Sequence, residues 1–178
     1  MSDSLPVPVS VDPDTGVWSV DGMPMILVPR HFWMAVHEET EKRYGIEANE
    51  ALLREASSSA AFAWCEMEAR THGLSGTDVF HHYMDRRSRR GWGQCTVDLL
   101  DAEAGHARVR MANSVFVFAA DPKVGRNVCY MFNGSFIGAM EYAADQLGER
   151  RKMQCKEIEC AANGAETCLF EVRPADAD

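Results

Sequence analysis

The spacing of apolar and polar positions changes period several times along the chain, and each change marks an element. Val17-Trp18-Ser19-Val20 alternates, Asp21-Gly22 is a turn pair and Met25-Ile26-Leu27-Val28 is apolar, so a hairpin is predicted over 17–28. Pro29 suits the first turn of a helix from Arg30 to Tyr44, which Gly45 stops. A second helix runs from about Ala48 to Thr71, with Leu52, Leu53, Ala56, Ala60, Ala63, Trp64 and Met67 on one side and Gly73 at its end. Its Ser57–Ala61 stretch is small on nearly every face, which lets another helix approach closely. Thr77 or Ser75 caps a third helix that ends near Ser88.

Beyond Gly91-Trp92-Gly93 the period returns to two. Gln94–Leu100 and Ala107–Met111 read as paired strands across a turn at 101–105. Ser114–Ala119 is a continuous apolar run, and 121–125 is a loop. Tyr130–Leu147 reads as the fourth helix, ended by Gly148, with Gly134, Ser135, Gly138 and Ala139 forming a small, tightly packable face. Met153–Ala161 and Glu166–Val172 read as antiparallel strands around Asn163-Gly164, a pair that tolerates positive φ. Residues 1–15, with three prolines and no periodicity, are expected to be a flexible tail, 16–173 one domain, and 174–178 a short acidic tail. Hairpin, three helices, strand pair, helix and strand pair make an α+β layout, with helices packed on an antiparallel sheet.

Composition narrows the function. A chain of 178 residues can bury a substantial core as one domain. A net charge of −9 and a pI near 5.1 argue against a nucleic-acid-binding surface. No apolar run approaches the roughly 20 residues that cross a bilayer, and no signal pattern opens the chain, so no membrane span and a cytoplasmic location are expected. Six cysteines in that setting are thiols or metal ligands rather than a disulfide frame. The ten methionines suit irregular core space or an adaptable pocket wall.

The chemistry concentrates near the C-terminus. Glu157-Ile158-Glu159-Cys160 and Cys168 meet around the predicted turn, and Cys129 and Cys155 lie close enough in sequence to join them. Thiolates and a carboxylate are ordinary zinc ligands, and four of them make a closed, structural site. Strand geometry raises an objection: residues three apart, such as Glu157 and Cys160, point to opposite faces unless a bulge intervenes. Cys155 shares the face of Glu157 and is the alternative ligand. Arg150-Arg151-Lys152 and Lys156 are placed to offset the negative charge of such a site. Cys65 and Cys95 read as core residues, and of His81 and His82, about 100° apart on a helix, one faces inward. Arg86-Arg87-Ser88-Arg89-Arg90 reads as a solvated helix end. No Ser-His-Asp order, phosphate loop or HExxH pattern is present.

Gly91-Trp92-Gly93 entering a strand, the helix Phe132-Asn-Gly134-Ser-Phe-Ile-Gly138-Ala-Met-Glu141, and Glu157-x2-Cys160-x3-Gly164-x3-Cys168-x-Phe170 together resemble a 4-vinyl-reductase-type domain over about residues 20–172. That family is named for a bacteriochlorophyll-biosynthesis protein and includes the sensor domains of phenol-responsive bacterial activators. Its ligand-binding fold is related to those of nitric-oxide-signalling and Golgi-transport proteins. The resemblance implies a small-molecule-binding domain, often dimeric, with an apolar cavity between helices and sheet. It also implies a structural zinc held by three cysteines and a glutamate, which fall here on Cys129, Glu157, Cys160 and Cys168. Trp92, Tyr130, Phe132 and Phe136 are the expected ligand-binding aromatics.

The function expected is a stand-alone sensory domain for a small hydrophobic or aromatic molecule, with structural zinc. An enzyme or accessory acting on a hydrophobic or tetrapyrrole-like substrate, and an assembly subunit, are the alternatives. A symmetric homodimer is expected because Phe32, Trp33 and Val36 share an inward stripe of the first helix while Met34 faces away and needs a partner.

Overall fold

The structure, a computed structural model, describes residues 7–119 and 125–175. In chain order its elements are β1 (Val9–Val11), β2 (Trp18–Val20), β3 (Met23–Met25), α1 (Arg30–Tyr44), α2 (Ile46–His72), α3 (Thr77–Arg89), β4 (Gln94–Asp101), β5 (His106–Ala112), α4 (Val115–Ala119), α5 (Met131–Gln146), β6 (Met153–Glu159) and β7 (Cys168–Pro174). The period-two segments form one four-stranded antiparallel sheet in the order β4-β5-β7-β6. One face carries Val109, Met111, Phe170 and Val172, all buried, and the other carries ion pairs such as Arg108–Glu171 and Arg110–Asp98. That division is the usual economy of an antiparallel sheet with one wet face. Helices on one side of an antiparallel sheet give a single α+β domain.

α5 is the central helix, buried along nearly its whole length between the sheet and α2. The small residues of α2 and α5 explain the closeness of this pair. A Cβ added at Gly134 would lie 2.0 Å from the Arg54 carbonyl oxygen, and one at Gly138 would lie 2.1 Å from that of Ser58. Ser57 Oγ donates to the Met131 carbonyl at 2.8 Å, so the contact also satisfies a polar group at the start of α5. Phe132, Phe136 and Phe170 form an edge-to-face cluster between α5 and β7.

Several expectations are corrected. Val9–Val11, within the stretch expected to be loose, is a strand paired with β2, because Val7, Val9 and Val11 alternate. The hairpin's second strand is Met23–Met25, immediately after Asp21-Gly22, which leaves Ile26 and Leu27 exposed at 82% and 81%. On α1 the buried residues are Met34 and His37, while Phe32 and Val36 are exposed, the reverse of the stripe expected. Met34 and His37 are three residues apart, one turn of one face. Gly76, with no side-chain cap, precedes α3 in place of Ser75 or Thr77. The run after Ser114 is the short helix α4, and the loop expected over 121–125 lies mostly outside the described residues. Among the described residues no helix is long and apolar enough to cross a membrane.

Candidate metal centre and apolar cavity

The Asn163-Gly164 pair does not make a two-residue hairpin. Cys160 leaves β6, Ala161–Asn163 forms one tight helical turn, and Gly164 at φ 92° reverses the chain toward Cys168. The register of β6 against β7 shifts between Glu157 and Glu159, which is the bulge needed to bring residues three apart onto one side. Ile158, the displaced residue, is exposed.

This bulge brings Glu157 beside Cys160, β7 begins with Cys168, and the residue two positions before α5 is Cys129. All four are buried, and their ligand atoms lie within 4.8 Å of one another. Cys129 Sγ is 3.6 Å from Cys168 Sγ, and Cys168 Sγ is 3.9 Å from Cys160 Sγ. The Cys129 amide donates to Glu157 Oε2 at 2.9 Å, while Glu157 Oε1 is buried without a partner. The Ala161 amide donates to Cys168 Sγ at 3.5 Å, and Ser114 Oγ stands 3.1 Å from Cys129 Sγ. Cys155 is not in this group; it pairs with Val172 along the strand.

Four acidic groups share this site. Burial, and then the neighbouring Cys160, push the Glu157 carboxyl up to about 9. The Cys160 thiol is lowered by hydrogen bonds from Cys129 and Cys168, so it is the group that ionises first. The Arg150–Lys152 run does not serve the centre as expected, because it lies at the opposite end of β6. Arg150 pairs with Asp145, Arg151 with Glu149, and Lys152 faces Glu141 at 3.9 Å.

A cavity of about 370 Å³ lies between the N-terminal hairpin, α1, α2, α3 and the start of α5. Its walls include Met23, Met25, Trp33, Leu53, Trp64 and Trp92, and the exposed Ala56 and Ala60 stand at its edge. Two arginines border it. Arg87 is only 5% exposed, with its guanidinium 4.7 Å from the Phe132 ring centroid, 5.2 Å from Tyr83 and 5.5 Å from Trp92. Its Nη2 donates to Ser135 Oγ at 2.7 Å, and its Nε has no partner. Arg90 lies 4.8 Å over the Trp64 ring. The expected solvated helix end is therefore a basic wall of an apolar cavity. Tyr83, one turn before Arg87, was the sequence signal for this, since that spacing stacks the two side chains.

Residues 4–98 match the family described as a domain of unknown function (DUF5943), and residues 108–174 match the vinyl-4-reductase domain. The chain belongs to the DUF5943 family and carries a vinyl-4-reductase domain. No curated protein matches it. Among solved structures, it is similar to the phenol-responsive sensory domain of the transcription activator PoxR with phenol, at TM-score 0.74 and 17% identity, over 93% of this chain and 84% of that one. It is also similar to a trafficking protein particle complex subunit 3 from Naegleria fowleri covalently bound to palmitic acid, at TM-score 0.57 and 12% identity, over 83% and 93%. A vinyl-4-reductase family protein from Methanocaldococcus jannaschii matches at TM-score 0.53 and 11% identity, over 85% of each chain. At these identities the likeness is one of fold.

Of the four expected ligand-binding aromatics, Trp92 borders the cavity of this DUF5943 protein. Phe132 stands behind it, edge-on at 6.2 Å, and Phe136 is packed against Phe170 in the core. Tyr130 is held elsewhere: its hydroxyl donates to Glu41 Oε1 at 2.6 Å and accepts from Asn49 Nδ2 at 2.8 Å. His37 adjoins this network, its imidazole kept below the ordinary range by burial against the opposing pull of Glu41.

Proposed function

We propose that the chain is a small-molecule-binding sensory domain whose cavity receives an aromatic or other apolar molecule carrying an acidic or hydrogen-bond-accepting group. The buried Arg87 carries this reading. A guanidinium held among aromatic rings, with one N–H unpartnered, is costly without an acceptor. Tryptophan and methionine walls take the apolar body, and a few convergent polar groups set its orientation. The fold likeness to a phenol sensor supports an aromatic ligand.

The Cys129, Glu157, Cys160 and Cys168 cluster fits a zinc ion. Tetrahedral zinc with three sulfur ligands keeps the sulfurs about 3.8 Å apart, close to the 3.6 and 3.9 Å observed, and the unpartnered Glu157 Oε1 supplies the remaining donor. With four protein ligands the ion would be structural, clamping α5 to the β6–β7 loop. A homodimer completes the reading, with exposed Ile26, Leu27, Phe32 and Val36 as its surface.

The test is a thermal-shift screen of paired aromatics, for example a benzoate and its uncharged amide. Saturable stabilisation by the acid, lost in Arg87→Met while the amide is unaffected, supports the assignment. Equal response of wild type and Arg87→Met to every acid tested counts against it.

A further inference from the structure

Away from the thiol cluster, two histidines and two carboxylates converge where α2, α3 and the β2–β3 turn meet. We propose that Glu68, His72, His82 and Asp21 form a second site, for a divalent first-row transition metal, which ties the N-terminal hairpin to the α2–α3 pair.

Glu68 and His72 are four residues apart on α2, so they project from the same face one turn from each other. The short 73–76 connection returns the chain so that α3 brings His82 opposite them. Glu68 is fully buried, with Oε2 2.6 Å from His82 Nε2 and 3.3 Å from His72 Nε2. Asp21 sits at the β2–β3 turn with φ 51°, and its Oδ1 lies 3.8 Å from His72 Nε2. Ligand atoms at the 2.0–2.1 Å typical of such metals stand about 3.3 Å apart in a tetrahedron. The observed separations bracket that value, so small side-chain rotations bring all four onto one ion.

Three further observations favour a cation over a plain hydrogen-bonded cluster. Glu68 Oε1 is buried with no partner, an arrangement that is expensive for a carboxylate unless a positive charge compensates it. The outer groups already orient the ligands. Trp64 stacks on the His82 ring at 5.8 Å and 20°, and Arg86 Nη2 lies 3.2 Å from Asp21 Oδ2, leaving Oδ1 toward His72. Two carboxylates against one arginine and neutral imidazoles also leave a net negative charge, which a dication satisfies. Nitrogen and oxygen donors without thiolate separate this site chemically from the cysteine cluster. Met23 and Met25, just beyond Asp21, line the cavity, so a bound ion holds one cavity wall in place.

The full chain, freed of any affinity tag and holding whatever metal it retains on purification, is titrated with Co²⁺ by calorimetry and absorption. The expected result is one additional equivalent per chain, with ligand-field absorption but no thiolate charge-transfer band, and a melting midpoint that rises with free Co²⁺. His72→Ala, at a partly exposed position, and His82→Ala should each weaken that equivalent by more than about tenfold. Cys160→Ser should leave it intact, and the missing thiolate band makes the same distinction in the native chain if that variant does not fold. Three results overturn the site. These are no additional equivalent at millimolar Co²⁺, an additional equivalent bearing the thiolate band, or undiminished uptake by the folded His72→Ala variant.

Discussion

The Cys129 amide donates a 2.9 Å hydrogen bond to Glu157 Oε2, joining the approach to α5 directly to the bulge of β6. The bond satisfies a backbone donor just ahead of the central helix and turns the carboxylate toward the three sulfurs. Asn127 strengthens the same junction from the other side, its Nδ2 donating to the Glu157 carbonyl at 2.7 Å. The candidate metal centre is thus where the helical layer and the sheet are joined, which is why its loss should affect the whole fold.

Cys160→Ser and Cys168→Ser should each reduce zinc from about one equivalent per chain to near none. Metal binding is coupled to folding, so a loss of at least about 3 kcal/mol is expected, or roughly 6–12 °C in melting midpoint for a chain of this size. Cys155→Ser should retain the metal, because Cys155 faces away from the cluster. Elemental analysis with thermal melts checks this. Zinc kept by Cys160→Ser, or lost from Cys155→Ser, contradicts the ligand set.

Gly134→Ala and Gly138→Ala should each destabilise the fold by about 1–3 kcal/mol or more, although alanine is the better helix former by about 1 kcal/mol. The new methyl would meet backbone carbonyls at 2.0 and 2.1 Å, and these cannot swing aside as a side chain can. The measurement is the urea midpoint at unchanged m-value. A neutral or stabilising result would mean that α2 and α5 are not packed this closely.

Much of this packing was legible beforehand, because it follows from local rules. Pro29 and Gly45 bracket α1, and the glycines and serines of α2 and α5 announce a close crossing. The bulge at Ile158 was legible only as a requirement, since it depends on how β6 pairs with Leu169 and Phe170 of β7. Arg87 was misread because a run of arginines at a helix end normally faces water. Its burial rests on Trp92 and Phe132, which lie distant in sequence. The Asn163-Gly164 signal identified a chain reversal but not its length, which is set by the placing of Cys160 and Cys168 rather than by the turn pair.

Acid should reveal the ion pairs on the outer face of the sheet. Hydrogen bonds from Arg173 and then Arg108 hold the Glu171 carboxyl at about 2, below its ordinary value of 4.5. A depressed folded-state value means the stabilisation is complete above about 4.5 and disappears as pH falls toward about 2. Glu171→Gln should therefore be less stable than wild type near pH 6, and the two should converge as pH drops through that window. Chemical denaturation at pH 6, 4 and 3 tests this. A gap that stays constant with pH would mean that charge at Glu171 contributes nothing.

The exposed apolar stretch before and along α1 should be an interface between two copies of the chain. Ile26 and Leu27 are more than 80% exposed and Phe32 is 56% exposed, an unusual density of apolar surface for so short a segment. Met34, by contrast, is inside and cannot serve as the contact. Light scattering at micromolar concentration should give about twice the 19.8 kDa chain mass. Phe32→Glu or Leu27→Glu should restore the single-chain mass with little change in the helical circular dichroism signal, because neither side chain belongs to the core. Met34→Glu should instead unfold the protein, since it would bury an unpaired charge. A native chain that already scatters as 19.8 kDa across the micromolar range leaves no dimer to explain, and the apolar patch would then need another partner.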